Sequence, residues 1–245
     1  MKFLVCISKT PDTTTKISFS EGDTKFSEDG VQFIINPYDE WYALVRALEL
    51  KESLGGSVTV VNVGPAANDA VIRKALAIGA DDAVRIDAEP QDAFQVAELI
   101  ANYAGDQAYD MILTGKETID YNGAMVGAII AEKMNLPFIS LASKLDMEGS
   151  TAVLEREIQG GKEVVACDLP LVVSAQKGMA EQRIPNMRGI MQARTKPLNV
   201  VAGEAAAKTS VAKYQLPAEK GAVKLIDADN PAELWDLLRN DAKVI

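Results

Sequence analysis

Histidine is absent from this sequence. That absence removes Ser-His-Asp and Cys-His catalysis, histidine general bases and histidine metal ligands together. Cysteine is nearly as scarce. Cys6 and Cys167 lie far apart in apolar strand-like runs, which reads as two buried free thiols, with no disulfide framework and no metal cluster. No apolar run reaches the ~18 residues of a membrane span. The apolar stretch at the start is too short for a signal peptide, and Lys9 interrupts it, so a cytoplasmic location is the simplest expectation. Basic excess is missing too: 25 Lys and Arg against 35 Asp and Glu leave a net charge of -10, the wrong sign for a general nucleic-acid binder.

Phosphate-loop signatures are also lacking. Nothing reads GxxxxGK[ST], and no GxGxxG follows the first strand. Ser8-Lys9-Thr10-Pro11-Asp12 lacks the Gly-rich Ser loop of ATP-pyrophosphatase-type enzymes. The carboxylate pairs Asp39/Glu40, Asp81/Asp82 and Asp227/Asp229 sit at helix starts or turns and read as caps or solvated faces. No nucleophile has an activating base beside it.

What is present is a core. The 245 residues are 48% hydrophobic, enough for one large domain or a domain with an appendage. Phe3-Leu4-Val5-Cys6-Ile7 reads as a strand buried on both faces. Thr13 to Gly30 reads as a small hairpin or excursion. Asn36-Pro37-Tyr38-Asp39-Glu40 reads as a helix start with Asn36 as cap, and Gly55-Gly56 closes that helix. Strands follow at Val58–Val63, Ala83–Ile86 and Asp110–Thr114, alternating with helices at Asn68–Ile78 and Ala93–Tyr103. A fourth helix is expected to begin near Gly123. This alternation predicts an α/β fold with a parallel sheet and right-handed crossovers. Ile139–Leu145, Ala152–Ile158 and Glu163–Leu169 read as antiparallel edge strands or a small extra sheet, and Leu171–Ser174 as one more buried strand. A loop from Ala175 to Arg188 precedes a short helix at Gly189–Arg194. Beyond Pro197 apolar density falls. Val200–Pro217 reads as an extended arm, and Asn230-Pro231 starts a last helix around Trp235 that needs another surface to pack on.

Ligands of open α/β sheets sit past the carboxyl ends of strands. The strand ends that could share one crevice are Ile7, Ser8 and Lys9; Asn36; Val63 and Gly64; and the loop Gly115–Gly127, with Asp120, Gly123, Ala124, Met125, Val126 and Gly127. Main-chain amides and a helix start there could hold a phosphate. Val63 and Val126 could flank an adenine, and Asp120 could cap the following helix or orient the loop. The plainer alternative is an ordinary βα connection, with Lys9 and Lys116 as solvated lysines and Met125 as core.

The ordered set NPYDEWYAL (Asn36–Leu44), VNVGP (Val61–Pro65), ALAIGADDAVRI (Ala75–Ile86), DMILTGKETIDYNGAMVG (Asp110–Gly127), EREIQGG (Glu155–Gly161) and IMQARTKP (Ile190–Pro197) resembles the β subunit of electron-transfer flavoproteins. The match runs from near residue 1 to the C-terminus. The resemblance implies a three-layer parallel-sheet domain, adenine nucleotide α-hydrolase-like but without hydrolysis. A small antiparallel extension and an extended C-terminal arm would complete it, divided here as residues 1–197 and 198–245. It implies a heterodimer in which an α subunit carries the electron-transferring FAD and the arm wraps that partner. It also implies AMP in the β site, or a second FAD in electron-bifurcating members. Electrons would pass from acyl-CoA dehydrogenase-type flavoproteins to a downstream acceptor, so the chain would be an electron carrier subunit and not an enzyme. The donor would dock on an apolar anchor, which falls on Met187, flanked by Arg183 and Arg188. The chain departs from both family patterns. Ala124-Met125-Val126 stands where AMP-binding members carry Asn-Gln-Thr. Against the D-x-x-T-x-Q-V of bifurcating members, Asp120 and Val126 match, but Gly123 and Met125 replace Thr and Gln. Thr13-Thr14 follows Pro11-Asp12, where some members offer a Tyr to the α-subunit flavin. Two other classes share the topology: a stand-alone adenine-nucleotide-binding sensor, which predicts self-dimerisation, and an adenylating enzyme, which needs the missing phosphate loop.

Overall fold

The computed structural model describes residues 1–118 and 121–245. Strand β1 (Lys2–Cys6) opens the chain. β2 (Lys9–Pro11) pairs antiparallel with β5 (Phe33–Ile35), and between them β3 (Phe19–Ser20) and β4 (Lys25–Phe26) form the expected hairpin. Then come α1 (Asp39–Leu54), β6 (Ser57–Val63), α2 (Asp69–Ile78), β7 (Asp82–Asp87), α3 (Ala93–Gly105), β8 (Met111–Gly115) and α4 (Val126–Met134). β9 (Phe138–Glu148), β10 (Thr151–Ile158), β11 (Gly161–Asp168) and β12 (Leu171–Ala175) follow, then α5 (Met187–Ala193), β13 (Leu198–Ala202) and α6 (Pro231–Asp236), which continues as a wider helical turn over Leu237–Asp241.

One nine-stranded sheet carries the molecule, in the order β11-β10-β9-β12-β8-β1-β6-β7-β13. β9 runs parallel to β12, while β10 is antiparallel to both β9 and β11. The antiparallel strands thus extend the edge of the main sheet instead of forming a second one. Strand residues alternate between two cores. Phe3, Val5, Met111, Leu113 and Val173 face α1, α2 and α5; Leu4, Cys6, Ile112 and Val172 face α3 and α4. Strands with both faces covered need apolar residues at every position, which the run at residues 3–7 supplies. Of the two thiols, Cys6 is buried and Cys167, on β11, is only half-buried.

Three local expectations need correction. Asn36 does not cap α1. The helix begins at Asp39 with no side-chain cap, and the Asn36 amide instead donates to the Glu117 carbonyl at 2.7 Å. Helix α4 begins at Val126, so Gly123 lies in the loop before it. The chain beyond Pro197 is not all arm, because β13 pairs in parallel with β7.

From Gly203 to Asn230 no helix or strand forms. This arm is tied down in three places. The Gln95 amide donates to the Ala205 carbonyl (3.2 Å). The Asp92 carboxylate, which also caps α3 by accepting the Gln95 N–H (2.8 Å), accepts the N–H groups of Lys208 (2.6 Å) and Thr209 (2.7 Å). These bonds, the Gln95 one above all, hold its pKa down at about 2. Farther on, the Tyr214 ring stacks on Phe19 at 4.9 Å and the Tyr214 N–H reaches the Asp23 carbonyl (2.7 Å). None of the residues of α6 is buried. Among the described residues no helix is long and apolar enough to cross a membrane.

Candidate functional site

Strand order decides where a ligand can enter. From β1 the chain passes through α1 to β6 and on to β7 on one side; α3 then returns it to β8 on the other side of β1. The order therefore reverses between β1 and β8, the switch point at which sheets of this kind take their ligands, outside the carboxyl ends of the strands. The starts of α1 and α4 flank it.

The expected residues fall into two groups. Some hold the crevice together. Ile7 is buried, donates to the Val61 carbonyl (2.9 Å) and accepts from the Asn62 amide (2.9 Å). The Ser8 N–H and hydroxyl both go to the Glu40 carboxylate, at 2.7 and 2.8 Å. Lys9 turns away, pairing with Glu28 (3.2 Å) and lying 3.8 Å over the Phe33 ring. Val63 is buried in the core under α3 and α4. Gly64 donates to the Ile86 carbonyl (3.0 Å) and accepts from Arg85 (2.9 Å). Gly115 and Gly127 admit close packing: a Cβ at 115 would come to 2.8 Å from the Glu40 side chain, and one at 127 to 2.7 Å from the Thr114 hydroxyl.

The others remain open. Gly123, Ala124 and Met125 are exposed, and a Cβ on Gly123 would meet nothing nearer than Met125 at 4.0 Å. Val126 begins α4, and among the described residues no side chain caps it, so its first-turn N–H groups have no side-chain partner there. Asp120, expected to cap or orient this loop, lies outside the described residues.

Two carboxylates are buried at the same mouth, Asp39 and Glu40. As acids in the first turn of α1 they suit its dipole. Burial nevertheless pushes the Asp39 carboxyl up to about 6, against the opposing pull of Lys116. A carboxyl that holds its proton more tightly when folded favours the fold at low pH. That advantage is complete below about 4 and is lost as pH rises through about 6. Asp39→Asn is therefore expected to stabilise the chain by about 1–2 kcal/mol at pH 7.5 and by nearly nothing at pH 4. Urea midpoints at the two pH values check this; a loss at pH 7.5 would mean that the Lys116 interaction outweighs burial.

Sequence reasoning missed the polar residues beneath the crevice. Asn68 donates to Asn62 (2.9 Å), which donates to the Ile7 carbonyl, so the ends of β1 and β6 are tied to the start of α2. Arg85, buried on β7, pairs with Asp69 (2.9 Å) and Asp87 and donates to the Gly64 carbonyl. A polar residue in an otherwise apolar strand, as at Asn62 and Arg85, was the available signal.

The second expected site lies on the face that carries α1 and α2. Met187 begins α5 and is 73% exposed, with Ile184 and Met191 exposed beside it. Arg188 is exposed as well. Arg183 is engaged within the chain: its guanidinium pairs with Glu52 at 2.6 Å, and its carbonyl accepts from the Trp41 indole at 3.2 Å.

A mostly parallel sheet with helices on both faces and a switch point between β1 and β8 defines a doubly wound α/β protein. Residues 23–206 match the family model described as "Electron transfer flavoprotein domain". The chain is 38% identical to an electron transfer flavoprotein subunit beta of Bacillus subtilis, with both chains covered in full. It is 34% identical to one from Syntrophomonas wolfei, covering all of this chain and 98% of the other. It is also 28% identical to an acryloyl-CoA reductase electron transfer subunit gamma of Anaerotignum propionicum, over 97% of each. The chain belongs to the electron transfer flavoprotein family, on its β-subunit side. It is an electron-carrier subunit and not an enzyme.

Proposed function

We propose that the crevice between β1 and β8 holds the adenylate of a nucleotide, AMP or FAD, and that the arm grips an α subunit bearing the electron-transferring FAD. The observation that carries the reading is the loop Gly123–Met125, open and exposed, running into a nine-residue helix that no described side chain caps. Its free N–H groups would take the phosphate, beside Val126, and the ends of β1 and β6 would flank the base. The fit is one of backbone: Ser8, Lys9 and Asn36 already spend their side chains inside the chain. The bound flavin supplies the redox chemistry. This chain orients the complex and presents the apolar knob of Ile184, Met187 and Met191, against which an acyl-CoA dehydrogenase-type flavoprotein docks. A relative named as an electron transfer subunit of a CoA-ester reductase supports that donor and acceptor class.

The test is to denature the purified αβ complex and count what is released. One FAD and one AMP per heterodimer, or two FAD, supports the reading; a single FAD with no second nucleotide overturns it. Gly123→Val is expected to empty the β site while leaving heterodimer yield unchanged, with melting lowered only to that of the nucleotide-free parent complex. Among the described residues a Cβ there meets nothing nearer than Met125 at 4.0 Å, so a ligand in the loop is what the added side chain would crowd. Undiminished nucleotide content in this variant would place the phosphate elsewhere.

A further inference from the structure

The docking knob stands on a short support. Helix α5 has seven residues, too few to persist in water on its own. The last carbonyls of any helix lack partners within it and attract cations. Here the ends of two helices are each met by a cation from the other side. Arg73, on α2, donates to the carbonyls of Ala193 (2.8 Å), the last residue of α5, and of Lys196 (2.6 Å), just beyond it. Lys196 donates in return to the carbonyls of Leu76 (3.0 Å), in the last turn of α2, and of Ala80 (2.5 Å), just past its end. The helices also touch directly. A Cβ on Gly189 would lie 2.4 Å from the Ala77 carbonyl, so only glycine lets α5 approach this closely.

We infer that Arg73 and Lys196 are positioning residues, a reciprocal pair of helix caps that fixes the docking segment in the orientation from which Met187 projects. The inference rests on the reading of Met187 as the docking knob. The other end of the segment is held by Trp41 and Glu52 through Arg183. The segment is thus anchored at both ends, while its apolar side chains stay exposed between the anchors. A rigid anchor of this kind lowers the entropy lost when a partner docks. Weakening either cap should therefore raise the donor concentration needed for docking without altering transfer once docked.

The experiment uses the full αβ complex with Arg73→Met, Lys196→Met, Lys196→Arg and Met187→Ala. Amide hydrogen exchange is read over residues 187–196. Flavin reduction is read against the concentration of a medium-chain acyl-CoA dehydrogenase reduced with octanoyl-CoA. Exchange in both methionine variants is expected to speed up about tenfold. Their half-saturating donor concentration should rise about threefold to fivefold, with limiting rate and flavin content unchanged. Lys196→Arg, which keeps the cation, should restore both readouts. Unchanged exchange in the two methionine variants overturns the reciprocal cap. Faster exchange with an unmoved half-saturation, while Met187→Ala does shift it, overturns the positioning role alone. Failure of Met187→Ala to shift it overturns the docking reading and the positioning role with it.

Discussion

Changing Leu225 and Trp235 together to aspartate is expected to weaken association with the flavin-bearing α subunit about 100-fold or more, while the chain itself melts as before. Leu225 is 89% exposed and Trp235 58% exposed. They sit in and beyond an arm that contributes nothing buried from α6. Apolar side chains held this far from their own core stabilise nothing at home, so removing them costs the fold almost nothing. Exposed apolar surface of this extent marks a contact with another molecule. A tryptophan and a leucine buried in an interface are each worth roughly 2 kcal/mol or more when removed. Aspartate adds the desolvation of a carboxylate to that loss. Isothermal titration of the purified variant against the α subunit gives the affinity, and thermal unfolding gives the fold. Parent-like affinity in the double variant would mean that the arm is not what grips the partner.

Met187→Ala is expected to slow reduction by an acyl-CoA dehydrogenase-type donor about tenfold at sub-saturating donor, with flavin content unchanged. The side chain is 73% exposed and no fold requirement explains it. Its neighbours Ile184 and Met191 would keep part of the knob, so the loss falls short of complete. Arg188 at the rim should set the ionic-strength dependence of docking more than its strength. Stopped-flow flavin reduction across donor concentrations is the measurement; loss of bound flavin instead would assign Met187 a structural role.

The fold was legible where one physical signal dominated. Phe3 to Ile7, Val58 to Val63 and Met111 to Leu113 are apolar at nearly every position, which only a sheet covered on both faces requires. Elements set by tertiary contacts were not legible. β13 has the modest run Leu198–Ala202 and becomes a strand because β7 offers it an edge. Asn36 has the composition of a cap, but the Glu117 carbonyl, far along the chain, claims its amide. Gly123 resembles a helix entry, whereas α4 begins three residues later. At the candidate sites the sequence singled out strand ends but not how their side chains are spent. That Ser8 serves Glu40, and Arg183 serves Glu52 and Trp41, depends on residues distant in the chain. Arg73 and Lys196 stayed hidden for the same reason, since each meets the end of a helix distant in the chain.

The bonds at Asp92 and the stacking of Tyr214 on Phe19 have a consequence for assembly. Among the described residues the stretch between Tyr214 and Pro231 has no such anchor, so α6 is leashed within roughly 60 Å of the β3–β4 hairpin. Once a companion has seized either the leash or the body, the other contact becomes intramolecular, with an effective concentration set by that short span and not by dilution in the cell.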